Sequence, residues 1–125
     1  MPDQRRLFGD SGEALAASFL QSKGMKVIDT QQSCRLGEVD LVCEHKGELV
    51  FVEVKTRHDN QYGFPEEAVT VHKIRKIVNA ARIYLQKRNK EEVFWRIDVV
   101  AIQIRENSNP EILHIENIDI PEGLW

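Results

Sequence analysis

The run GEVDLVCEHKGELVFVEVK, residues 37–55, decides how this chain is read. Two apolar stretches flank the dipeptide Lys46-Gly47, which is placed as a hairpin turn. Four charges interrupt them: Glu38, Asp40, Glu53 and Lys55. Antiparallel pairing about the turn sets Asp40 opposite Glu53 and Glu38 opposite Lys55. Side chains alternate along a strand and opposed residues share a face, so all four charges are predicted on one face. The other face would carry Val39, Leu41, Cys43, Val50, Val52 and Val54, apolar throughout. A slip of one residue would drive the charges into that layer, so the register is well determined.

Nearer the turn the charged face becomes apolar again, with Val42, Leu49 and Phe51. The acids therefore sit at the rim of a layer covered on both sides. Two opposed carboxylates repel each other by on the order of 3 kcal/mol at an effective dielectric near 20. A hard divalent cation offsets that repulsion, because Mg²⁺ takes oxygen ligands and binds through one or two carboxylates. Metal-assisted hydrolysis is the chemistry open to such a set. A metal on Asp40 and Glu53 would lower the pKa of a bound water and polarise a phosphoryl oxygen. Lys55 would orient the water or stabilise charge growing on the phosphate. The bland alternative is a solvated strand end in which Lys55 neutralises Glu38. The four histidines, His45, His58, His72 and His114, have no ligand spacing and are expected on the solvated surface.

The rest of the chain frames this hairpin. At 125 residues, with 42% hydrophobic and 30% charged residues, a single globular domain over 1–125 is expected. No apolar run reaches the length of a membrane span and the first residues lack a secretory h-region, so a cytoplasmic protein is expected. Cys34 and Cys43 have neither zinc spacing nor a disulfide framework. The net charge of -3 hides an asymmetry. Residues 55–90 hold nine Lys and Arg against three acids, and residues 91–125 hold two against eight. One region can meet a polyanion while the rest repels it.

Asp10 or Ser11 can cap a first helix, with Leu15, Ala16, Phe19 and Leu20 as its apolar stripe and Gly24 as its stop. MKVIDTQ reads as a short strand before the two strands of the hairpin, about residues 38–44 and 49–55. Thr70 can cap a long helix whose stripe is Val71, Ile74, Ile77, Val78, Ala81, Tyr84 and Leu85. Its cations Lys73, Arg75, Lys76, Arg82 and Lys87 would face elsewhere. VFWRIDVVAIQI and EILHIENIDI complete the pattern as a long strand and an edge strand. The order α-β-β-β-α-β-β predicts an α/β fold, a mixed sheet flanked by helices. Asp98, sharing a strand face with Arg96, is read as structural and ion-paired.

At these residues the chain resembles the PD-(D/E)XK nuclease superfamily. Within it, the chain is similar to the bacterial YraN family of predicted nucleases related to archaeal Holliday-junction resolvases. The likeness spans nearly the whole chain. It runs through GDSGEALAASFL, GEVDLV, FVEVKTR, GFPEEAV and RIDVVAI. It implies a restriction-endonuclease-like αβββαβ core, with Asp40, Glu53 and Lys55 as the catalytic centre. Glu13 enters as a further acid joining Asp40 and Glu53 at the metal, Glu38 as an accessory, and Mg²⁺ or Mn²⁺ as the cofactor. The name-giving proline is absent, since Val39 precedes Asp40. Sequence alone makes Glu13 the partner of Asp10 in a capping box. The two roles coexist only if the carboxylate points back toward the hairpin.

The expected function is a metal-dependent nuclease acting on nucleic acid, DNA first and branched or otherwise structured DNA included. Arg57, Lys73, Lys76 and Arg82 are expected to contact phosphates, since no groove-reading motif is present. A resolvase-like role would call for a two-fold homodimer, and no membrane partner is implied. Two alternatives stay open: a module of the same fold that binds without cutting, and an adaptor whose acidic C-terminal part contacts another protein.

Overall fold

The computed structural model describes residues 11–58 and 69–124. Two helices and five strands follow in order: α1 (Ser11–Ser22), β1 (Lys26–Cys34), β2 (Gly37–His45), β3 (Glu48–Arg57), α2 (Val71–Lys87), β4 (Trp95–Gln103) and β5 (Glu111–Ile115). The strands form one sheet in the order β1-β2-β3-β4-β5. All neighbours pair antiparallel except β3 and β4, which run parallel. A parallel pair needs a crossover connection, and α2 lies within it. The fold is the predicted α/β one, a mixed sheet flanked by helices and consistent with a restriction-endonuclease-like core.

Local chemistry explains the boundaries. α1 stops where Gly24 turns to a φ of 87° and Met25 returns its N–H to the Leu20 carbonyl at 3.0 Å. The Asp10 cap lies outside the described residues. Lys46 and Gly47 both take positive φ, 52° and 82°, the two-residue turn whose twist matches the flanking strands. The ladder from His45↔Glu48 to Leu41↔Val52 is the predicted register. At α2, the Thr70 hydroxyl accepts the Lys73 N–H at 3.2 Å, as an N-cap does.

Each helix covers one face of the sheet. Ala16, Ala17 and Leu20 of α1 pack on Leu41, Cys43, Val50, Val52 and Val100. Ile74, Ile77, Val78, Ala81, Tyr84 and Leu85 of α2 pack on Val42, Leu49, Phe51 and Ile97. Val71, expected in that stripe, is 53% exposed: as the first helical residue it stands past the end of the stripe. Gly37 brings α2 down onto β2, because a Cβ there would run into the Lys76 carbonyl. Beside it the Asn79 amide donates to the Leu36 carbonyl at 3.2 Å.

Two further expectations, both about strands, need correction. β5 ends at Ile115 rather than continuing through residue 120. Asn117 takes a φ of 51° and gives its N–H to the Asp98 carboxylate, which turns the chain out of the sheet. Ile118, Ile120 and Leu124 then pack against the α2 core. Secondly, Val39 joins the α2 core although Leu41, two residues on, joins the α1 core. Strict alternation fails there because β2 has left β3. Among the described residues no helix is long and apolar enough to cross a membrane.

Candidate active site

β2 and β3 pair only from the turn to Leu41↔Val52. Beyond that row they fork. The first half of β2 pairs with β1, through Ser33↔Glu38 and Cys34↔Gly37. The last half of β3 continues beside β4, from Glu53↔Val99 to Arg57↔Gln103. The predicted pairing of Asp40 opposite Glu53 across a ladder row is therefore not formed. Asp40 bridges the fork instead, its carboxylate accepting the Val54 N–H at 2.8 Å. A fork opens toward both faces of the sheet, so residues of α1 and α2 can meet there although the helices pack on opposite sides.

A polar cleft of about 410 Å³ occupies the fork. Glu13 from α1, Glu38 and Asp40 from β2, Glu53 and Lys55 from β3, and Lys73 from α2 line it. All five predicted site residues thus share one cleft. Glu13 is only 7% exposed and Glu53 8%. Burial raises the Glu53 carboxyl from 4.5 to about 7, and the neighbouring Asp40 charge raises it further within that shift. Lys73, 3.4 Å away, works in the opposite direction. The cation that meets Glu53 thus comes from α2, a role the sequence reading had not given Lys73.

Gln31 also lines the cleft, and no sequence signal had marked it. It sits inside β1 with a φ of 48°, a left-handed conformation that costs a non-glycine residue on the order of 1 to 3 kcal/mol. Its amide donates to the Glu13 carboxylate. The unfavourable backbone thus aims a donor at the one acid that α1 contributes, and Glu13 points toward the hairpin, as a site role requires.

The polar groups around the acids are carboxylates, the Gln31 amide, the Thr56 hydroxyl and two lysines; no His or Cys lines the cleft among the described residues. That donor set suits a hard cation such as Mg²⁺ or Mn²⁺ and not a thiolate-seeking metal. Among the described residues no three acid, His or Cys side chains yet converge on a common point. Asp40 is held by Val54 and Glu53 by Lys73, with Glu13 held by Gln31.

The remaining cations do not form a single basic surface. Lys76 and Arg82 are exposed on α2, as are Arg75 and Lys87. At roughly 100° per residue, Lys73 and Lys76 leave the helix on one flank of the apolar stripe, and Arg75 and Arg82 on the other. Arg57 stands at the end of β3, two residues beyond Lys55. His114, expected on the solvated surface, has a side chain only 3% exposed. It packs edge-on against Phe19 and meets the fully buried Asp98 at 2.7 Å. Arg96 and the Asn117 N–H complete the shell around Asp98, which is a scaffold acid as predicted.

Fold and cleft together define an α/β domain with an acid-and-lysine site at a fork in a mixed sheet. The chain belongs to the family described as Uncharacterised protein family UPF0102, whose model matches residues 12–102. It is similar to a UPF0102 protein of Caldanaerobacter subterraneus, 37% identical over 115 residues that cover 92% of this chain and 91% of that one. A UPF0102 protein of Geobacter sulfurreducens is 44% identical over 112 residues, covering 90% and 88%. Among solved structures, Pyrococcus furiosus SfsA in complex with Ca²⁺ matches with a TM-score of 0.34 and 14% identity, covering 91% of this chain and 64% of that one.

Proposed function

We propose that the chain is a nuclease of the PD-(D/E)XK type that hydrolyses phosphodiester bonds in DNA with Mg²⁺ or Mn²⁺. The observation that carries this reading is the gathering of Glu13, Asp40, Glu53 and Lys55 from three separate elements into one cleft. Asp40, Glu53 and Glu13 would hold the metal, which when bound supplies an activated water and charge stabilisation at phosphorus. The Val54 N–H fixes Asp40, and Gln31 orients Glu13. Lys55 faces the position of the scissile phosphate and stabilises its growing charge. Lys73 stands beside Glu53 and would be available to the phosphate with a metal on the acids.

The test is cleavage of linear, flapped, nicked and four-way DNA in Mg²⁺ and in Mn²⁺, with Glu53→Gln and Lys55→Met as controls. Cleavage by wild type and loss in both variants supports the assignment. A Lys55→Met variant that cuts at the wild-type rate removes it. One observation favours a second reading, a module that binds nucleic acid without cutting: Glu13, Asp40 and Glu53 are each already engaged by a protein donor. Binding without cleavage in any of these conditions would select that reading.

A further inference from the structure

A second concavity, of about 300 Å³, opens beside the acid cleft and shares Lys55 with it. Strand register explains it. Lys55 pairs with Ala101 of β4, and Ala101 pairs with Leu113 of β5, so the three form one row across the sheet. The next row is Arg57, Gln103 and Glu111. Residues in a row share a face, so both rows look out on the side where Glu53 meets Lys73. Ala101 belongs to neither apolar core. Its missing side-chain volume leaves a dent between Lys55 and Leu113.

The chemistry of the dent is mixed. Its floor is aliphatic, and Leu113 remains 44% exposed on a rim that otherwise bears charge. Lys55 and Arg57 border it on the β3 side, and Arg105, paired with Glu111 at 3.3 Å, borders the other. An apolar bed beside cations fits a molecule with a flat apolar face and an attached anion. A nucleotide is such a molecule, and the shared Lys55 places it next to any phosphate held at the acids. A base stacked inside a duplex cannot enter a dent without leaving its stack, whereas an unpaired base enters at little cost.

We infer that this dent receives one unpaired nucleotide of the strand whose neighbouring phosphate lies in the acid cleft. The inference rests on the nuclease reading and narrows its substrate to strands with an unpaired base at the cut, as at ends, flaps and junctions. Binding is measured by fluorescence anisotropy in chelator, with a labelled blunt duplex and the same duplex bearing a short single-stranded extension. Wild type should prefer the extended duplex by about tenfold, the contribution of one well-held base. Ala101→Leu fills the dent without replacing Glu13, Asp40 or Glu53, and should bind both duplexes alike while keeping the wild-type rise in Tm on adding Mn²⁺. Should Ala101→Leu fail to fold, Leu113→Asp, on the half-exposed rim, should abolish the preference instead. Equal wild-type affinity for the two duplexes, or a preference that survives a filled dent, overturns the inference. Because binding is read without metal, failure of the metal chemistry registers separately, as an absent Mn²⁺ response in wild type.

Discussion

The Lys73 ammonium stands 3.4 Å from the Glu53 carboxylate, a contact between α2 and the sheet at the base of the fork. The cleft thus holds a cation of its own, placed against an acid whose pKa burial raises. Glu53 keeps its proton in the folded state up to about pH 7, whereas the unfolded chain releases it near 4.5.

The Glu53 contribution to metal-free stability should consequently fall as pH rises between those two values. In that window the folded state binds a proton that the unfolded state has lost, so raising the pH favours unfolding. Below about 4.5 both states are protonated and the penalty vanishes; above about 7 it is complete. The full difference is on the order of 3 kcal/mol. Glu53→Gln should flatten the slope and be more stable than wild type in alkaline chelator. Lys73→Met should extend the decline to higher pH, since Lys73 holds the Glu53 pKa down. Urea melts across this range check all three; equal pH slopes in wild type and Glu53→Gln would contradict the assignment.

Gln31→Gly separates scaffold from site at β1. Glycine accepts a φ of 48° without strain, which offsets the loss of the Gln31 hydrogen bond to Glu13, so the metal-free variant should melt within about 1 kcal/mol of wild type. Losing the amide frees Glu13, and the gain in stability on adding Mn²⁺ should shrink. Gln31→Asn, which tolerates the same backbone and keeps an amide, should recover part of that gain. A lower melt with an unchanged Mn²⁺ response would make Gln31 a structural residue.

Asp98 lies at the centre of the buried network with Arg96, His114 and the Asn117 N–H. Asp98→Ala leaves the Arg96 cation without its closest partner and should cost about 3 to 5 kcal/mol. Calorimetric unfolding reads this directly, and a loss below about 1 kcal/mol would show the network to be dispensable.

Gly37→Ala tests the seating of α2. The new methyl group meets the Lys76 backbone carbonyl, which cannot swing away as a side chain could. A loss of about 1 to 3 kcal/mol is expected, with an unchanged denaturant m-value, because the helix shifts without the core unfolding.

Much of the fold was legible because short-range rules agreed. Period-two alternation and the Lys46-Gly47 turn set the hairpin register, and Thr70 with the Ile74 to Leu85 stripe set α2. The features missed are those in which tertiary contacts override such rules. Alternation assumes an unbroken ladder, so it could not place the fork or move Val39 to the α2 core. Helical periodicity puts Lys73 at the flank of the apolar stripe, where solvent and cleft are equally near. A left-handed Gln31 leaves no compositional trace, unlike a glycine. His114 looked like a surface residue because its partners, Phe19 and Asp98, are distant in sequence. Glu13 entered the site through resemblance; its spacing from Asp10 alone pointed to a helix cap.

The bridge from the Val54 N–H to Asp40 also makes that amide a reporter. Its proton is held by a side-chain carboxylate, where its ladder neighbours are held by the adjoining strand. Drawing the carboxylate away would speed hydrogen exchange at this one position while the paired strands around it stay protected. A single backbone resonance would then register whether Asp40 has exchanged its protein partner for another, in the intact fold and in the absence of turnover.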